Sequence, residues 1–304
     1  MQRGKQHFGN LFTIGHSPLT NCLTFAQISA MIKWITAGLL VTIALAACSP
    51  NNVTVDNSLK KYFDQNKVTG CFGLFDNGQG SFTIYNLPRF SDSTYTPAST
   101  FKIVNSLIGL EEGIVNDTNT MFKWDSVARP RTECNRDMTM WDAFRISCPP
   151  WYQQLARKIG QPKMQHWLDT LGYARRYDTF RIKNNLDTFW LDNTAKVTGD
   201  EQLGLVKKLY FDQLPFQKRS QRIVRSMMLW ESNSNYKLSY KTGWNTTDKG
   251  NQIGWIIGWI EENNHPYFFV LQVESPDKNV DFKTIRVELL KTILKSYGFF
   301  EGKK

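Results

Sequence analysis

The feature that most constrains the fold is a group of three β-prone segments near the C-terminus. The segments are Tyr236–Thr242, Ile253–Ile260 and Tyr267–Val273, and each is rich in branched and aromatic side chains. Asn263 and Asn264 lie between the last two segments, where a tight turn is expected. Because short connections of this kind join antiparallel strands, the C-terminal part of the chain predicts an antiparallel sheet.

Two further strands and a long helix are predicted earlier in the chain. Val68–Phe75 and Ser81–Tyr85 flank the sequence Asp-Asn-Gly at 76–78, which is typical of a hairpin turn. Apolar residues at helical spacing then run from near Ser99 to Gly113, and a glycine at that point favours helix termination. The N-terminal part therefore predicts a hairpin followed by one helix.

The middle of the chain and its C-terminal end have mostly helical patterns. Helical apolar spacing occupies Leu155–Ile159, Met164–Leu171, Gln202–Leu209, Arg222–Leu229 and Thr284–Tyr297. This order predicts an α+β fold, in which an antiparallel sheet is flanked by N- and C-terminal helices and a helical lobe is inserted. A cleft between the two lobes is the expected place for a functional site.

Residues 31–47 predict a secretory signal peptide. Lys33 precedes an uncharged apolar run that ends in Leu-Ala-Ala before Cys48. The run is shorter than a transmembrane helix of about 20 residues. Its ending resembles a bacterial lipobox, which implies lipidation of Cys48; an ordinary signal peptide with a coincidental cysteine is the alternative. We therefore expect an exported protein, lipid-anchored at the periplasmic face of a bacterial membrane.

The same reasoning divides the chain into segments. Residues 1–30 read as an over-long gene start, because Met31 is a natural start for the signal peptide. Residues 48–66 are interpreted as a tether and residues 67–304 as the folded domain. Removal of residues 1–47 leaves 34 Lys and Arg against 27 Asp and Glu, a net charge of +7. This charge favours an anionic small substrate or an anionic membrane surface, while export argues against a nucleic-acid partner.

Cysteine and histidine usage argues against a metal centre. Cys71, Cys134 and Cys148 remain as candidate thiols, and no pair of them has metal-ligand spacing. His166 and His265 are the histidines left after processing. In an oxidising compartment one disulfide among the three cysteines is possible, with one cysteine left over, and the sequence does not choose the pair. No metal is predicted.

Ser99 and Lys102 form a Ser-x-x-Lys pattern at the start of a predicted helix. Residues i and i+3 share one helix face, so the amine lies beside the hydroxyl and can act as its base. The N–H groups of a helix N-terminus also stabilise an oxyanion. The same pattern recurs at Ser58–Lys61, Ser234–Lys237 and Ser275–Lys278. The preceding Pro-Ala and the apolar helix that follows distinguish Ser99 from these copies.

A second motif, Lys241-Thr242-Gly243, ends one of the predicted strands. Its glycine allows a substrate to approach the strand closely. Lys-Thr-Gly is common as a plain strand end, but a Ser-x-x-Lys upstream of it is a signature of penicillin-recognising serine enzymes.

With both motifs in place, the sequence resembles the class D, or oxacillinase-type, serine β-lactamases from about Gly70 to Phe300. The matching stretches are Thr96–Lys102, Asn135–Asp137, Tyr152–Gln153, Ala156–Gly160, Asp187–Leu191, Lys241–Trp244 and Gly254–Trp259. The resemblance implies a β-lactamase/transpeptidase-like fold, a catalytic domain over 67–304 and hydrolysis of the β-lactam amide bond of penicillin-type antibiotics. It implies no cofactor beyond the CO₂ or bicarbonate that carboxylates a lysine, and it leaves the oligomeric state open.

The resemblance also implies catalytic roles. Ser99 would attack the lactam carbonyl and become acylated. Lys102 would be N-carboxylated and act as general base, with the indole N–H of Trp190 donating to its carbamate. Ser147 would relay a proton to the leaving nitrogen.

The remaining implied roles concern substrate binding. Lys241 and Thr242, with Gly243 beside them, would hold the substrate carboxylate and the proton network. Arg286 matches the family's carboxylate-binding arginine. The backbone N–H groups of Ser99 and Trp244 would form the oxyanion hole.

Two motifs differ from the family pattern. The second motif, usually Ser-x-Val, reads Ser147-Cys148-Pro149, which changes the apolar screen of Lys102 and places a thiol near the site. The third, usually Tyr-Gly-Asn, has Tyr173-Ala174-Arg175 as its nearest match, with Tyr177 as an alternative, in a longer loop. These differences bear on deacylation and substrate range.

Two other functions share the nucleophile. A penicillin-binding transpeptidase or carboxypeptidase would deacylate slowly after reaction with a β-lactam, and the short mature chain and Trp190 favour the hydrolase. A β-lactam sensor would stay acylated, but it needs a membrane-spanning partner region, which the sequence does not show. A class A enzyme would require a Glu-x-x-Leu-Asn segment, which is absent from the sequence.

Overall fold

The computed structural model describes residues 52–176 and 180–304. The helices in these ranges are α1 (Lys60–Gln65), α2 (Leu87–Ser91), α3 (Lys102–Glu111), α4 (Met140–Arg145), α5 (Pro149–Ile159), α6 (Gln161–Leu171), α7 (Gly199–Tyr210), α8 (Lys218–Met228) and α9 (Phe282–Ser296). The strands are β1 (Val53–Val55), β2 (Thr69–Asp76), β3 (Ser81–Tyr85), β4 (Met121–Phe122), β5 (Met138–Thr139), β6 (Leu229–Ser232), β7 (Lys237–Thr246), β8 (Gln252–Glu262) and β9 (His265–Ser275).

Seven strands form the main sheet in the order β1-β3-β2-β9-β8-β7-β6. Neighbouring strands are antiparallel except β1 and β3, which are parallel. Asn263 and Asn264 form the tight turn between β8 and β9, with left-handed φ angles of 49° and 62°. Asparagine adopts this conformation more readily than most residues. The antiparallel pairing predicted for the three C-terminal strands is therefore confirmed.

Each face of the sheet is covered by different helices, because side chains alternate along each strand. Ile256 of β8 belongs to a buried core that also contains Phe63 of α1 and Leu290 of α9. Its neighbour Trp255 belongs to a second core, shared with Leu107 of α3 and the rest of the helical lobe. The terminal helices thus pack on one face and the inserted lobe on the other, as the predicted α+β architecture requires.

Helix α3 lies inside the molecule. Every residue from Lys102 to Leu110 is buried. The helix is preceded by a 3-10 turn at Ala98–Phe101 and ends before Gly113, whose φ is 66°. The predicted span from Ser99 to Gly113 is confirmed, and its first residue after the turn is a lysine without access to water.

The helical lobe contains the predicted helices, and they begin earlier than their apolar spacing indicated. Helix α5 begins at Pro149, where the missing N–H of proline costs no helix hydrogen bond. Helix α7 begins after Thr198, whose side chain and that of Glu201 form a reciprocal capping box. Polar first turns contribute no apolar periodicity, which explains the difference.

The folded part of the chain begins before residue 67. Residues 53–55 pair with β3, and the segment leading into α1 buries Leu59 and Phe63 beneath the sheet. These two residues are about one helical turn apart and give the short segment an apolar face. The tether interpretation therefore does not hold for residues 53–66. Residues 1–51, with the predicted signal peptide and Cys48, lie outside the described residues.

The cysteine pair left open by the sequence is Cys134 with Cys148, which form a disulfide. Cys71 is buried in β2 as a free thiol. Cys148 therefore brings no thiol to the cleft, contrary to the sequence-based expectation. Over residues 52–176 and 180–304, no helix is long and apolar enough to cross a membrane.

Candidate active site

Ser99 lies in the 3-10 turn where the chain enters α3. Lys102 Nζ donates a hydrogen bond to Ser99 Oγ at 2.7 Å. The turn is fixed from behind, because the N–H of Ala98 donates to the carbonyl of Trp190 at 3.0 Å. Ser99 is half-buried while Lys102 is fully buried, so the hydroxyl faces the cleft and the amine approaches it from the interior.

The surroundings of Lys102 disfavour its charged form. Its Nζ lies 5.3 Å from the centre of the Tyr152 ring, in a fully buried position. Burial, assisted by the positive charge of Arg131, lowers the pKa of Lys102 to about 7. A substantial fraction of this amine is therefore neutral near neutral pH, as a base for Ser99 requires.

Trp190 presents a buried donor without a partner. Its Nε1 is buried and has no hydrogen-bond acceptor among the described residues. The indole stacks against Phe101 with ring centres 5.0 Å apart, and Phe189 packs edge-on against it. Buried N–H groups are normally satisfied, so this one marks a place where an acceptor is expected.

A second serine–lysine pair joins the two lobes. Lys241 Nζ of β7 donates to Ser147 Oγ at 2.8 Å and to the carbonyl of Thr242 at 3.1 Å. Burial lowers the pKa of Lys241 well below its usual value, and nearby Lys102 and Arg286 lower it further. The groups that act on this lysine are all basic, so the cleft suits an anionic ligand.

Gly243 allows the two lobes to meet. A Cβ atom at this position would lie 2.9 Å from the carbonyl oxygen of Pro97 and 3.2 Å from Thr100 Cγ2. Strand β6 pairs with β7 only as far as Ser239, so the following part of β7 faces the Ser99 turn rather than another strand. At this glycine it is the Ser99 turn, rather than a substrate, that approaches the strand.

Thr242 and Arg286 lie on the α9 side of β7. Thr242 pairs with Ile256, which faces the α9 core, and the guanidinium of Arg286 donates to the carbonyls of Gly243 and Phe282. Burial lowers the pKa of Arg286 to about 10. Its guanidinium lies beside Gly243, the last residue of the Lys-Thr-Gly motif.

Trp244 is 52% exposed and donates through Nε1 to Gln252 Oε1 at 3.1 Å. It marks the open rim of the cleft, immediately after the motif.

The structure shows where the residues of the two divergent motifs lie. Pro149 is the first residue of α5, where its ring fits the helix start, and Cys148 before it is in the disulfide. Tyr173 is buried against Phe101, and its hydroxyl has no partner within the described ranges. Tyr177 lies outside the described residues.

Sequence reasoning missed four residues that shape the site. Tyr152 and Phe101 form the aromatic surroundings of Lys102 and Trp190. Arg131 donates to the carbonyls of Ser147 and Ile146, and its charge lowers the pKa of Lys102. Cys134 ties the same loop through the disulfide. Tyr152 and Phe101 lie within the stretches that match the family. No sequence pattern around Arg131 or Cys134 predicts that they lie close to Ser147.

Comparisons with known proteins agree with this geometry. A model of the penicillin binding protein transpeptidase domain matches residues 55–295. The β-lactamase OXA-48 of Klebsiella pneumoniae is 37% identical over 241 residues, 79% of this chain and 88% of that protein.

Solved structures show the same fold. A class D β-lactamase YbXI from Nostoc has a TM-score of 0.74 and 32% identity, covering 80% of this chain and 99% of the other. The C-terminal domain of the Bacillus licheniformis BlaR penicillin-receptor has a TM-score of 0.75 and 27% identity, covering 83% and 98%.

The fold and the two serine–lysine pairs define a penicillin-binding, transpeptidase-type domain. Within that family the chain belongs to the class D serine β-lactamases, as its relatives over most of its length show. No group of three or more metal-binding side chains occurs in the part of the chain that the structure describes.

Proposed function

We propose that the protein hydrolyses the β-lactam amide bond of penicillin-type antibiotics through an acyl-enzyme on Ser99. Its relationship to class D β-lactamases supports hydrolysis of β-lactams as the activity. The observation that supports the serine mechanism most strongly is the 2.7 Å contact between Ser99 Oγ and the fully buried Lys102 Nζ. This geometry places a nucleophile beside a base that is readily deprotonated.

The first half of the reaction uses both serine–lysine pairs. Lys102, in the carboxylated form proposed below, accepts the hydroxyl proton of Ser99 as the oxygen attacks the lactam carbonyl. The backbone N–H groups of Ser99 and Trp244 stabilise the oxyanion. Ser147 then passes a proton to the leaving nitrogen and is replenished through its hydrogen bond with Lys241, 2.8 Å away.

We further propose that Lys102 is carboxylated by CO₂. A buried amine with a pKa near 7 has the neutral form that reacts with CO₂, and the partnerless Nε1 of Trp190 provides a donor for an anion. The carbamate would supply the general base that activates the deacylating water. Trp190 would hold this group and Phe101 would keep the indole in place.

The substrate carboxylate is assigned to the end of β7. Thr242 and Arg286 lie on the same side of β7, with Lys241 directly before Thr242, and the Arg286 guanidinium, whose pKa is about 10, is cationic at neutral pH. Charge-assisted hydrogen bonds to a carboxylate suit these groups. A β-lactam is therefore the small-molecule partner, with its acidic group at Thr242 and its reactive carbonyl at Ser99.

Turnover of nitrocefin by the full chain tests the proposal. We expect acylation followed by steady hydrolysis that added bicarbonate enhances, and no hydrolysis by Ser99→Ala. Carbon-13 NMR after addition of labelled bicarbonate should show a carbamate signal that Lys102→Ala lacks. Acylation without turnover, even with bicarbonate, would contradict hydrolysis.

A β-lactam-sensing protein is the second candidate. The observation that favours it is the structural similarity to the BlaR penicillin-receptor domain. A sensor would give the same burst of acylation but an adduct that persists for hours. A transpeptidase or carboxypeptidase would also deacylate slowly and would turn over peptide substrates, so the deacylation rate separates these functions.

Export and lipid anchoring through Cys48 remain part of the proposal. The apolar run before Leu-Ala-Ala-Cys supports them. We expect the protein in the membrane fraction of an expressing bacterium, with a lipid mass on Cys48 and globomycin-sensitive processing. A soluble product whose N-terminus is not Cys48 would contradict the anchor.

A further inference from the structure

Ser147 has a backbone conformation that needs support. Its φ is +60°, in the left-handed region that a residue with a side chain adopts only when its surroundings hold it there. This conformation directs Ser147 Oγ to Lys241, 2.8 Å away. Whatever holds the backbone of Ser147 therefore also holds the second serine–lysine pair.

Part of this support comes from the adjoining helix α4. The N–H of Ser147 donates to the carbonyl of Phe144 at 3.1 Å, and the N–H of Cys148 donates to that of Ala143 at 2.8 Å. These bonds close the end of the helix. They fix the turn to its own element, but they do not connect it to any other part of the lobe.

Two further ties come from residues 131–134, which we call the clamp segment. Arg131 NH1 donates to the carbonyl of Ser147 at 3.1 Å, and Arg131 NH2 donates to that of Ile146. Three residues later, Cys134 is bonded to Cys148. One short segment therefore holds the carbonyl of Ser147 and the side chain that follows it.

The clamp segment is itself ordered by local bonds. The N–H of Cys134 donates to the carbonyl of Arg131 at 3.0 Å, and Glu133 Oε1 accepts from Arg131 Nε at 2.9 Å. Asn135 and Arg129 exchange hydrogen bonds at 3.1 and 2.9 Å across its base. A disulfide between two ordered segments restricts their relative positions more than a hydrogen bond does.

We propose that Arg131 and the Cys134–Cys148 disulfide are positioning elements for Ser147, so that breaking the disulfide slows acylation of Ser99. The inference rests on the proposed function, in which Ser147 relays the proton to the leaving nitrogen. Neither element contacts Ser99 or Lys102 by hydrogen bond within the described residues. Deacylation, which depends on Lys102, is therefore expected to keep its rate when the disulfide is broken and Arg131 is retained.

Chemical reduction breaks the Cys134–Cys148 disulfide without any substitution. A dithiol such as dithiothreitol donates two electrons to the sulfur–sulfur bond, yields thiols on Cys134 and Cys148, and is itself oxidised to a cyclic disulfide. Arg131 then remains as the tie between the clamp segment and Ser147. Loss of both ties should have a larger effect than loss of either.

The experiment measures acylation and deacylation separately on the full chain, with a fluorescent penicillin and stopped-flow detection. Peptide mapping first establishes the Cys134–Cys148 bond in the oxidised protein. We expect reduction, or Cys148→Ser, to slow acylation about tenfold, equivalent to about 1.4 kcal/mol, while deacylation changes less than twofold. Arg131→Lys keeps the positive charge near Lys102 and one donor to the carbonyls, so it should slow acylation by less than loss of the disulfide does.

Matched controls separate positioning from general destabilisation. Cys71→Ala should respond to reductant as the unaltered protein does, and Cys134→Ser/Cys148→Ser should not respond. Arg219→Ala removes a comparable contact, to the carbonyl of Asn116 at 2.7 Å, far along the chain from Ser147, and should leave both rates unchanged. Circular dichroism reports the folded fraction of every sample.

Three results would overturn the inference. The first is a peptide map without the Cys134–Cys148 bond. The second is an acylation rate that is the same with and without the clamp. The third is a fall in both rates that parallels the folded fraction, which would make the clamp purely structural. Absence of acylation in the oxidised, unaltered protein would instead overturn the proposed function and the inference together.

Discussion

The cleft contains two serine–lysine pairs of nearly equal geometry but different origin. Ser99 and Lys102 lie three residues apart at the start of one buried helix, with 2.7 Å between Oγ and Nζ. Ser147 and Lys241 are 94 residues apart and lie on different lobes, with 2.8 Å between the same atoms. The first pair is fixed by local helix geometry, and the second exists only when the lobes are assembled.

The two pairs also differ in what surrounds the lysine, although both serines are half-buried. Lys102 lies over Tyr152 behind the Ser99 turn, whereas Lys241 is buried in the middle of β7, just beyond the part that pairs with β6. The first arrangement suits a base that accepts the proton of Ser99 from the buried side of the site. The second suits a relay that also meets the substrate, and its loss should be less damaging than loss of the first.

The largest expected effect is loss of the first pair. Ser99→Ala should reduce nitrocefin turnover by at least about 10⁴-fold, because it removes the hydroxyl that lies beside Lys102. Steady-state absorbance measures it, with Ser234→Ala as the control, since Ser234 starts another copy of the tetrapeptide and is exposed. Retention of a tenth of the activity in Ser99→Ala would break the distinction between the two pairs.

The second pair should matter less and at a defined step. Ser147→Ala removes the proton relay to the leaving nitrogen, and we expect acylation to slow by about 10²–10³-fold, the range of a general acid–base contribution. Single-turnover stopped-flow measurements with a fluorescent penicillin determine the acylation rate. A deacylation rate that falls as far as the acylation rate would show that the two pairs are not separable.

A Trp190 variant tests whether the indole N–H holds the carbamate proposed on Lys102. Trp190→Phe keeps an aromatic ring beside Phe101 but removes the indole donor. A hydrogen bond to a charged group is worth about 1.5–3 kcal/mol, so the bicarbonate concentration for half-maximal turnover should rise by about 10–100-fold. Bicarbonate titration of activity measures this shift. A titration identical to that of the unaltered protein would remove Trp190 from its proposed role.

The smallest effect concerns stability and pH. The pKa of Lys102 is lowered to about 7 by burial, so above that pH the unfolded chain binds more protons than the folded one. The free energy of unfolding should therefore rise with pH from about 7 towards 10 through this group, by at most about 1.4 kcal/mol per pH unit.

Urea denaturation at pH 7 to 9 in CO₂-depleted buffer measures this dependence. Lys102→Met should flatten the rise, while Lys218→Met, at an exposed position, should retain it. Equal slopes in the unaltered protein and in Lys102→Met would show that burial of Lys102 does not penalise its charge.

The contrast between the pairs also explains what the sequence can predict. Ser99 and Lys102 are close in sequence and start a long apolar helix, so local spacing is enough to place them together. The late strands were equally predictable, because their alternation and the Asn263-Asn264 turn are local signals. The Lys-Thr-Gly motif marks Lys241 and the family resemblance marks Ser147, but no local pattern predicts that the two meet.

Long-range packing accounts for what was missed. Leu59 and Phe63 sit in a polar stretch, and only burial against the sheet reveals their role. The choice of Cys148 as the partner of Cys134 depends on how two loops approach one another. The contacts of Arg131 with the carbonyls of Ile146 and Ser147 are likewise tertiary.

The most direct test of the central claim is rapid-quench mass spectrometry of the full chain mixed with benzylpenicillin. The account predicts an adduct with the mass of the intact penicillin, located on the peptide that contains Ser99, which forms early and disappears once the substrate is consumed. An adduct on any other residue, or one that remains after the substrate has gone, would contradict it.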